Sequence, residues 1–462
     1  MSVVNQNQKE VIARGAFATA IGAVIATLGS AIGLGNIWKF PFVTGANGGA
    51  AFLIVYIAST LLVGLPVMIA EIALGRTARA NAITTMQKLN PKKGQPWWLI
   101  GALGALAAFT IMAFYTEVAG WVYAYIFKSF NVGGLSTNPE VTGKAFTDLI
   151  TNPWQSLIWQ WVVLVVISII IIMGVSKGIE RVTKFMIPSL LVMVIIIAIR
   201  SITLDPAATA KVLSFLFKPD FSKLTWDAVL IAMGLAFFKL SVGMGTMITY
   251  GSYWQKEQNI PLRTATVMLS DLAVSLLAGL AIFPAVFAFG FEPASGPSLM
   301  FITIPAIFAS MPLGQIFMIL FFVLTGFAAT GAMISLIEVP VAYVNEKYNI
   351  SRVKATVATN LTLALIGSLA ALSNSSLANF KLFGLTMFDL FDYASQNLML
   401  PIGGLFIAIF VGWVWGSNNV VKALNNEGTL NNQMIISVFM FIIRYITPIL
   451  VIVILLGGLG VF

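Results

Sequence analysis

Of the chain's 462 residues, 59% are hydrophobic and only 9% charged. A soluble protein carries about 25% charged residues, so an ordinary water-soluble fold is excluded. The 26 basic and 17 acidic residues leave a net charge of +9, but the bases fall in alternate loops. That surplus reads as topogenic charge and not as a nucleic-acid surface.

Apolar runs long enough for a bilayer core of about 30 Å recur along the sequence. The short alternating segments of an outer-membrane barrel are missing. The pattern predicts an all-α membrane protein with eleven transmembrane helices, over 16–42, 50–74, 96–128, 157–176, 179–201, 227–254, 261–290, 313–343, 354–373, 391–416 and 433–459. "PSLMFITIPAIFASMP", between segments 7 and 8, is too short and Pro-flanked to span and reads as a re-entrant or surface element. Met1 to Arg14 is polar, and the first apolar run is too long and glycine-rich for a cleavable signal. There is no cysteine to indicate a redox compartment and no histidine to carry a proton near neutral pH.

Lys9 and Arg14 precede segment 1, and Arg76, Arg79, Lys88, Lys92 and Lys93 lie between segments 2 and 3. Lys177, Arg181 and Lys184 flank the 4–5 turn, Lys256 and Arg263 the 6–7 turn, and Lys347, Arg352 and Lys354 the 8–9 turn. All fall on one side, which the positive-inside rule makes cytoplasmic. The N-terminus is then cytoplasmic and the C-terminus extracellular, in the lipid bilayer of the cell membrane.

Segments 1 and 6 read as broken. "TLGSAIGLGNIWKFP" carries Gly29, Gly33 and Gly35 before a Pro41 stop, and "KLSVGMG" interrupts segment 6 just after Lys239. Glycines also serve close helix packing. Yet the two segments are five apart, and an odd number of spans inverts the second repeat; glycine-broken helices in such corresponding positions mark a midplane site. Lys239 stands alone in an apolar stretch, where a lysine costs roughly 3 kcal/mol to insert.

Six blocks, "GSAIGLGNIWKFP", "NGGAAFLIVY", "EIALGR", "SKGIERVTKFMIP", "ITYGSYWQKEQNI" and "LFDYASQNL", occur in order. With them the chain resembles, over nearly its whole length, the neurotransmitter:sodium symporters and especially their bacterial amino-acid transporters. The resemblance implies a leucine-transporter-like fold in one transporter domain, 1–462. Its five-plus-five inverted repeats would occupy 16–201 and 227–416, with an additional helix at 433–459.

Carried over by position, the substrate site implied by the resemblance falls on Ser30, Ala31, Leu34 and Gly35 of segment 1 and Ile111 and Tyr115 of segment 3. Segment 6 adds Phe238, Ser241 and Met244, and segment 8 adds Ala332 and Leu336. Backbone amides of the broken segment 1 and the Tyr115 hydroxyl suit a carboxylate. The apolar members suit leucine, isoleucine, valine or methionine. The outer gate maps to Lys39 and Asp392, where the family mostly has arginine on helix 1. The inner gate maps to Arg14 and Glu346 with Phe17, Ser252 and Tyr253, and Gly178 and Pro188 match a spacing whose unwinding opens the inner path.

The sequence departs from the family at both sodium positions. At the first, Ala31 and Asn36 remain, but the helix-6 and helix-7 ligands are replaced by Lys239 and Asp271. The second uses carbonyls of Gly29, Ile32 and Ala328; Gly331 and Ala332 stand where two hydroxyls belong, although a one-residue slip brings in Thr330. The expectation is that the Lys239 ammonium occupies the first sodium's place, paired with Asp271 and facing the substrate carboxylate. Ser275 matches a chloride-site serine, but Asp271 already balances the lysine, so chloride is not expected.

The function expected is secondary transport of hydrophobic amino acids, sodium-independent and proton-coupled, with Glu71, Glu117, Asp271, Lys239 and Glu338 as proton candidates. The alternatives are a conventional sodium-coupled symporter and, more remotely, a transport-dead amino-acid sensor. An enzyme is not expected, since no metal cluster, nucleophile–base pair or phosphate loop is present.

Overall fold

In hydrocarbon every backbone N–H and C=O must find a partner within the protein, so apolar runs of this length fold as helices. A computed structural model, describing residues 15–92, 94–131, 136–290 and 299–461, places a helix on each predicted run. These are α1 (Ala20–Ala31 and Gly35–Ala46), α2 (Ala50–Ala78), α3 (Trp98–Ser129), α4 (Pro153–Ile172) and α5 (Val175–Ile202). They continue as α6 (Trp226–Lys239 and Thr246–Gly251), α7 (Ile260–Ala288), α8 (Gly314–Tyr348), α9 (Arg352–Asn374), α10 (Met387–Trp415) and α11 (Gln433–Gly458). Among the described residues, nine of these are unbroken helices long and apolar enough to cross a membrane, and the halves of α1 bend by 52°.

Local sequence sets the ends. The hydroxyls of Thr19 and Thr225 cap the starts of α1 and α6, accepting from the Gly22 and Ala228 amides. Asn152 and Asn259 do the same for α4 and α7.

Pro41 does not stop α1, contrary to the sequence expectation. A π-helical turn over Gly35–Lys39 widens the helix, and Pro41 then falls in the first turn of Phe40–Ala46, where a missing N–H is tolerated. The short apolar stretch before α8 forms the helix Leu299–Ala309 and does not span. Its Phe301 ring stacks on Phe146 at 4.8 Å between centroids and meets Trp121 edge-on, folding the element onto one end of α3.

The two interrupted helices lie at the centre. α1 packs on α5, α7 and α8, and both halves of α6 pack on α2, while α3 and α8 run against each other and α3, α4 and α9 form an adjoining group. Small residues allow this closeness. A Cβ on Gly75 of α2 would lie 1.9 Å from the Ile248 carbonyl oxygen of α6, and one on Gly251 would lie 2.6 Å from the Ile72 carbonyl oxygen.

Backbone cannot give way as a flexible side chain can. Gly75→Ala should therefore destabilise by about 1–3 kcal/mol, read as a lowered unfolding temperature in detergent. Gly234→Ala, whose added Cβ meets nothing within 4 Å, should leave it unchanged or slightly raised.

Candidate functional site

The break in α1 is held open by side chains that replace its missing helical hydrogen bonds. Ile32 turns to extended backbone (ψ 100°). The Leu34 amide then donates to the Tyr115 hydroxyl at 2.9 Å, and the Gly33 amide to Asn36 Oδ1 at 3.3 Å. Gly33 has to be glycine here: a Cβ would come within 2.9 Å of the Tyr115 hydroxyl and 3.0 Å of Ala332 Cβ.

In α6 the break runs from Leu240 to Gly245 through left-handed residues Ser241, Gly243 and Gly245. Glu71 accepts from the Gly243 amide at 2.6 Å, and Thr246 donates to the Ser241 carbonyl at 2.5 Å. The two breaks are tied together, because the Ser241 hydroxyl donates to the Ser30 carbonyl at 2.8 Å. Ser30 in turn donates to Ser335 of α8 at 2.7 Å.

Between the breaks lies a cavity with about 20 Å³ of room for the centre of a water molecule. Ten of the eleven residues nominated from the sequence line it: Ser30, Ala31, Gly35, Ile111, Tyr115, Phe238, Ser241, Met244, Ala332 and Leu336. Gly33 and the Lys239 stem complete the lining. The eleventh, Leu34, faces a neighbouring vestibule of about 190 Å³, which shares Gly35, Tyr115 and Phe238 with the inner cavity. The Phe238 ring is therefore part of the partition between the two spaces.

Lys239 crosses from α6 past Gly35, whose absent Cβ would sit 3.3 Å from Lys239 Cγ. Its ammonium lies 3.0 Å from Asp271 Oδ2, donates to Tyr56 at 2.9 Å and also donates to Ser275. An ammonium has three N–H donors; the Tyr56 and Ser275 hydroxyls take two of them, and Asp271 is its ion-pair partner. The rings of Phe40 and Tyr56 cover it at 4.9 and 5.0 Å. Lys239 and Asp271, expected as a pair, lie within ion-pair distance. Asn36 donates to Asp271 Oδ1 at 2.6 Å and links the pair to the α1 break.

At the expected second sodium position Gly331 faces α1, since a Cβ there would come 2.7 Å from the Gly29 carbonyl oxygen. Thr330 points elsewhere, bonded to Tyr123 of α3 and to the Gly326 carbonyl, both at 2.7 Å. The one-residue slip is thus not realised. Ala328 and Ile32 are buried close by in sequence.

Lys39 and Asp392, expected as an outer gate, are joined through a third residue. Lys39 donates to Gln396 at 2.5 Å, and Gln396 donates to Asp392, so the glutamine stands between the two charges expected to meet. The Lys39 ammonium also sits 5.1 Å over the Phe238 ring. The opposite side is sealed more thickly. Phe17 is buried edge-on against Tyr250 and Tyr253, with centroids at 5.6 and 5.9 Å, and its amide donates to the Tyr253 carbonyl. Tyr253 donates to Glu338 at 2.6 Å, and Arg352 holds the same carboxylate through two bonds. Glu346 accepts from Asn81 through both its backbone and side-chain nitrogens. Arg14 lies outside the described residues. α5 is helical through Gly178 and Pro188 rather than unwound. Glu180 on α5 accepts from the Ala18 amide at 2.5 Å and from Thr19 at 2.8 Å, fastening α5 to the start of α1.

Tyr56, Gln396, Glu180 and Asn81 were not singled out in the sequence. Tyr56 left one signal, a lone phenol in an apolar run that has to find a hydrogen-bond partner when buried. Gln396 left another, lying one helical turn beyond Asp392.

Comparison with known proteins bears on this geometry. A sequence profile described as the sodium:neurotransmitter symporter family matches residues 14–136 and 147–462. The sodium-dependent transporter YhdH of Bacillus subtilis, itself uncharacterized, is 38% identical over 96% of this chain and 98% of its own. A sodium-dependent transporter of Haemophilus influenzae is 33% identical over 94% of this chain and 96% of its own. The crystal structure of MhsT in complex with L-phenylalanine superposes with a TM-score of 0.88 at 40% identity, over 96% of this chain and 100% of that one.

Two outcomes follow. Removing one member of the Lys239–Asp271 pair, by Lys239→Thr or Asp271→Asn, should destabilise by about 3–5 kcal/mol because it strands a buried charge. The double variant should recover most of that loss in detergent unfolding. Asp392→Ala and Gln396→Ala should both slow transport while leaving the unfolding temperature within a few degrees of wild type, since a part-exposed polar contact contributes about 0–1 kcal/mol. Wild-type rates in both variants would remove the relay from the gate.

Proposed function

Because the chain belongs to the sodium:neurotransmitter symporter family, we propose that it carries hydrophobic amino acids across the membrane by alternating access. It is a multi-pass membrane transporter and not an enzyme. The observation that carries the reading is the cavity between the two breaks. One end offers unwound α1 backbone and the Tyr115 hydroxyl, which suit a carboxylate; the other offers Ile111, Phe238, Met244 and Leu336, which suit an apolar side chain. The MhsT structure with L-phenylalanine supports the same chemistry. Leucine, isoleucine, valine and methionine are the substrates the lining fits. In this reading the breaks open two five-helix units, 16–201 and 227–416, which rock against each other, with the N-terminus cytoplasmic and the C-terminus extracellular.

Different observations favour two couplings. Sodium symport is supported by the relatives, since those of Bacillus subtilis and Haemophilus influenzae are both named as sodium-dependent. Here the sodium would use the second position, at the carbonyls of Gly29, Ile32 and Ala328. Coupling without sodium is supported by the Lys239–Asp271 pair at 3.0 Å. A cation tethered to α6 cannot be released, and so cannot draw on a gradient.

In proteoliposomes, leucine uptake should be competed by isoleucine, valine and methionine. Glutamate and lysine should compete roughly 10- to 100-fold less well, since a polar side chain unpaired in this lining costs about 1–3 kcal/mol. Replacing sodium by choline separates the couplings. Abolished uptake supports the second-position sodium, and persistent uptake supports the tethered cation. In the latter case Lys239→Thr with Asp271→Asn should move transport toward sodium dependence, because it restores neutral oxygen ligands beside Asn36.

A further inference from the structure

The ionisable groups buried in the spans are not equivalent. Lys239 and Asp271 neutralise each other, and Glu338 is held by Arg352 and Tyr253. Glu71 accepts from the Gly243 amide and belongs to the support of the α6 break. Glu117 on α3 has no such role. It is fully buried, and its Oε1 accepts from the Trp121 indole at 2.7 Å. Its Oε2 has no hydrogen-bond partner.

No positive charge answers it among the described residues around it. α4, packed against this face, has no charged residue between Pro153 and Ile172. Lys128 on α3 lies at the end of the helix, bonded to the Ala145 carbonyl. On α9, Arg352 is paired with Glu338 and Lys354 is exposed at the helix start. The nearby part of α10 carries acids, Asp389 and Asp392. Glu140, Lys144 and Asp148, on the helix whose Phe146 touches Trp121, all face outward. At the same α3–α4 contact Gln160 donates to Thr116, while its Oε1 is also unpartnered. An ionised carboxylate would be an uncompensated charge, which hydrocarbon does not tolerate. A carboxylic acid would be neutral there.

The carboxyl is also wired to the gate. The Trp121 ring stacks on Phe388 of α10 at 6.1 Å between centroids with planes 16° apart. Phe388 packs edge-on to Phe114 and lines the vestibule with Asp392, one turn along the same helix. Movement of α10 at the gate therefore alters the cover over Glu117.

We propose that Glu117 is a proton-binding site of the transport cycle, taking a proton from the vestibule water when α10 is displaced and holding it while Trp121 and Phe388 are stacked. A charged Glu117 opposes that dry stack, so closing the gate draws a proton in. This rests on the transport reading above and adds to it the group that makes closure sensitive to pH.

The test uses purified full-length protein in proteoliposomes with equal sodium on both sides. Leucine accumulation driven by an inward proton gradient is divided by each variant's own gradient-free leucine counterflow. The wild type and Glu117→Asp should accumulate leucine, and Glu117→Gln should lose the gradient-driven part. Infrared difference spectra should show a protonated carboxyl band that Glu117→Gln removes. A Gln variant with an undiminished ratio, a wild type that ignores the proton gradient while counterflow proceeds, or a missing band would each overturn the proposal. Should Glu117→Gln give no counterflow, the Asp variant and the band decide. Absent counterflow in the wild type would instead sink the transport reading, and the band would still decide whether Glu117 holds a proton.

Discussion

Two stretches of backbone leave the helix at the centre of this protein, and in hydrocarbon each freed amide and carbonyl has to be met by something other than water. Much of the architecture answers that constraint. Tyr115 reaches from α3 to the Leu34 amide, Asn36 turns back to Gly33, and Glu71 reaches from α2 to Gly243. Ser241 and Ser30 then bond the two breaks to each other and to α8. Apart from α2, the helices that supply these groups are those that wall the cavity. Satisfying the backbone and building the site are one structural act.

The buried Lys239 poses a second problem, and its solution reaches across three helices. Ser275 of α7 and Tyr56 of α2 accept from the ammonium, Asp271 of α7 balances its charge, and the Phe40 ring of α1 closes over it. Asn36 joins this cluster to the α1 break through Asp271. In the proposed coupling without sodium, this fixed cation stands in for a mobile one. This is where the chain's own geometry and the sodium-dependent descriptions of its relatives bear differently on coupling.

The two ends of the site are built unequally. Toward the vestibule lie Phe238 and a lysine–glutamine–aspartate relay of part-buried side chains. Toward the other side lie three aromatic rings, Phe17 meeting Tyr250 and Tyr253 edge-on, an arginine–glutamate pair and the Glu180 clasp on the start of α1. The thin side is held by few contacts and the thick side by many. α5 stays helical through Gly178 and Pro188 while that clasp is made.

Apolar run length located the helices, nine of them unbroken candidate spans and a tenth bent at its break among the described residues, because in a membrane a helix is the one way for an isolated apolar run to satisfy its backbone. Glycine clusters located both breaks, and position against the family nominated ten residues that share one cavity. Contacts between distant segments were beyond the sequence. Nothing in "NIWKFP" tells that a π turn carries α1 past Pro41. No charge pattern places Gln396 between Lys39 and Asp392, and a lysine opposite an aspartate does not say where its third proton goes. Tyr56 and Ser275 take the Lys239 donors only because α2 and α7 converge there. Likewise, a glutamate in an apolar helix is legible as an anomaly, but its lack of any cation depends on what α4, α9 and α10 bring beside it. Hydrophobicity along one strand of sequence determines each helix; the partners of a buried polar group are set by three-dimensional packing alone.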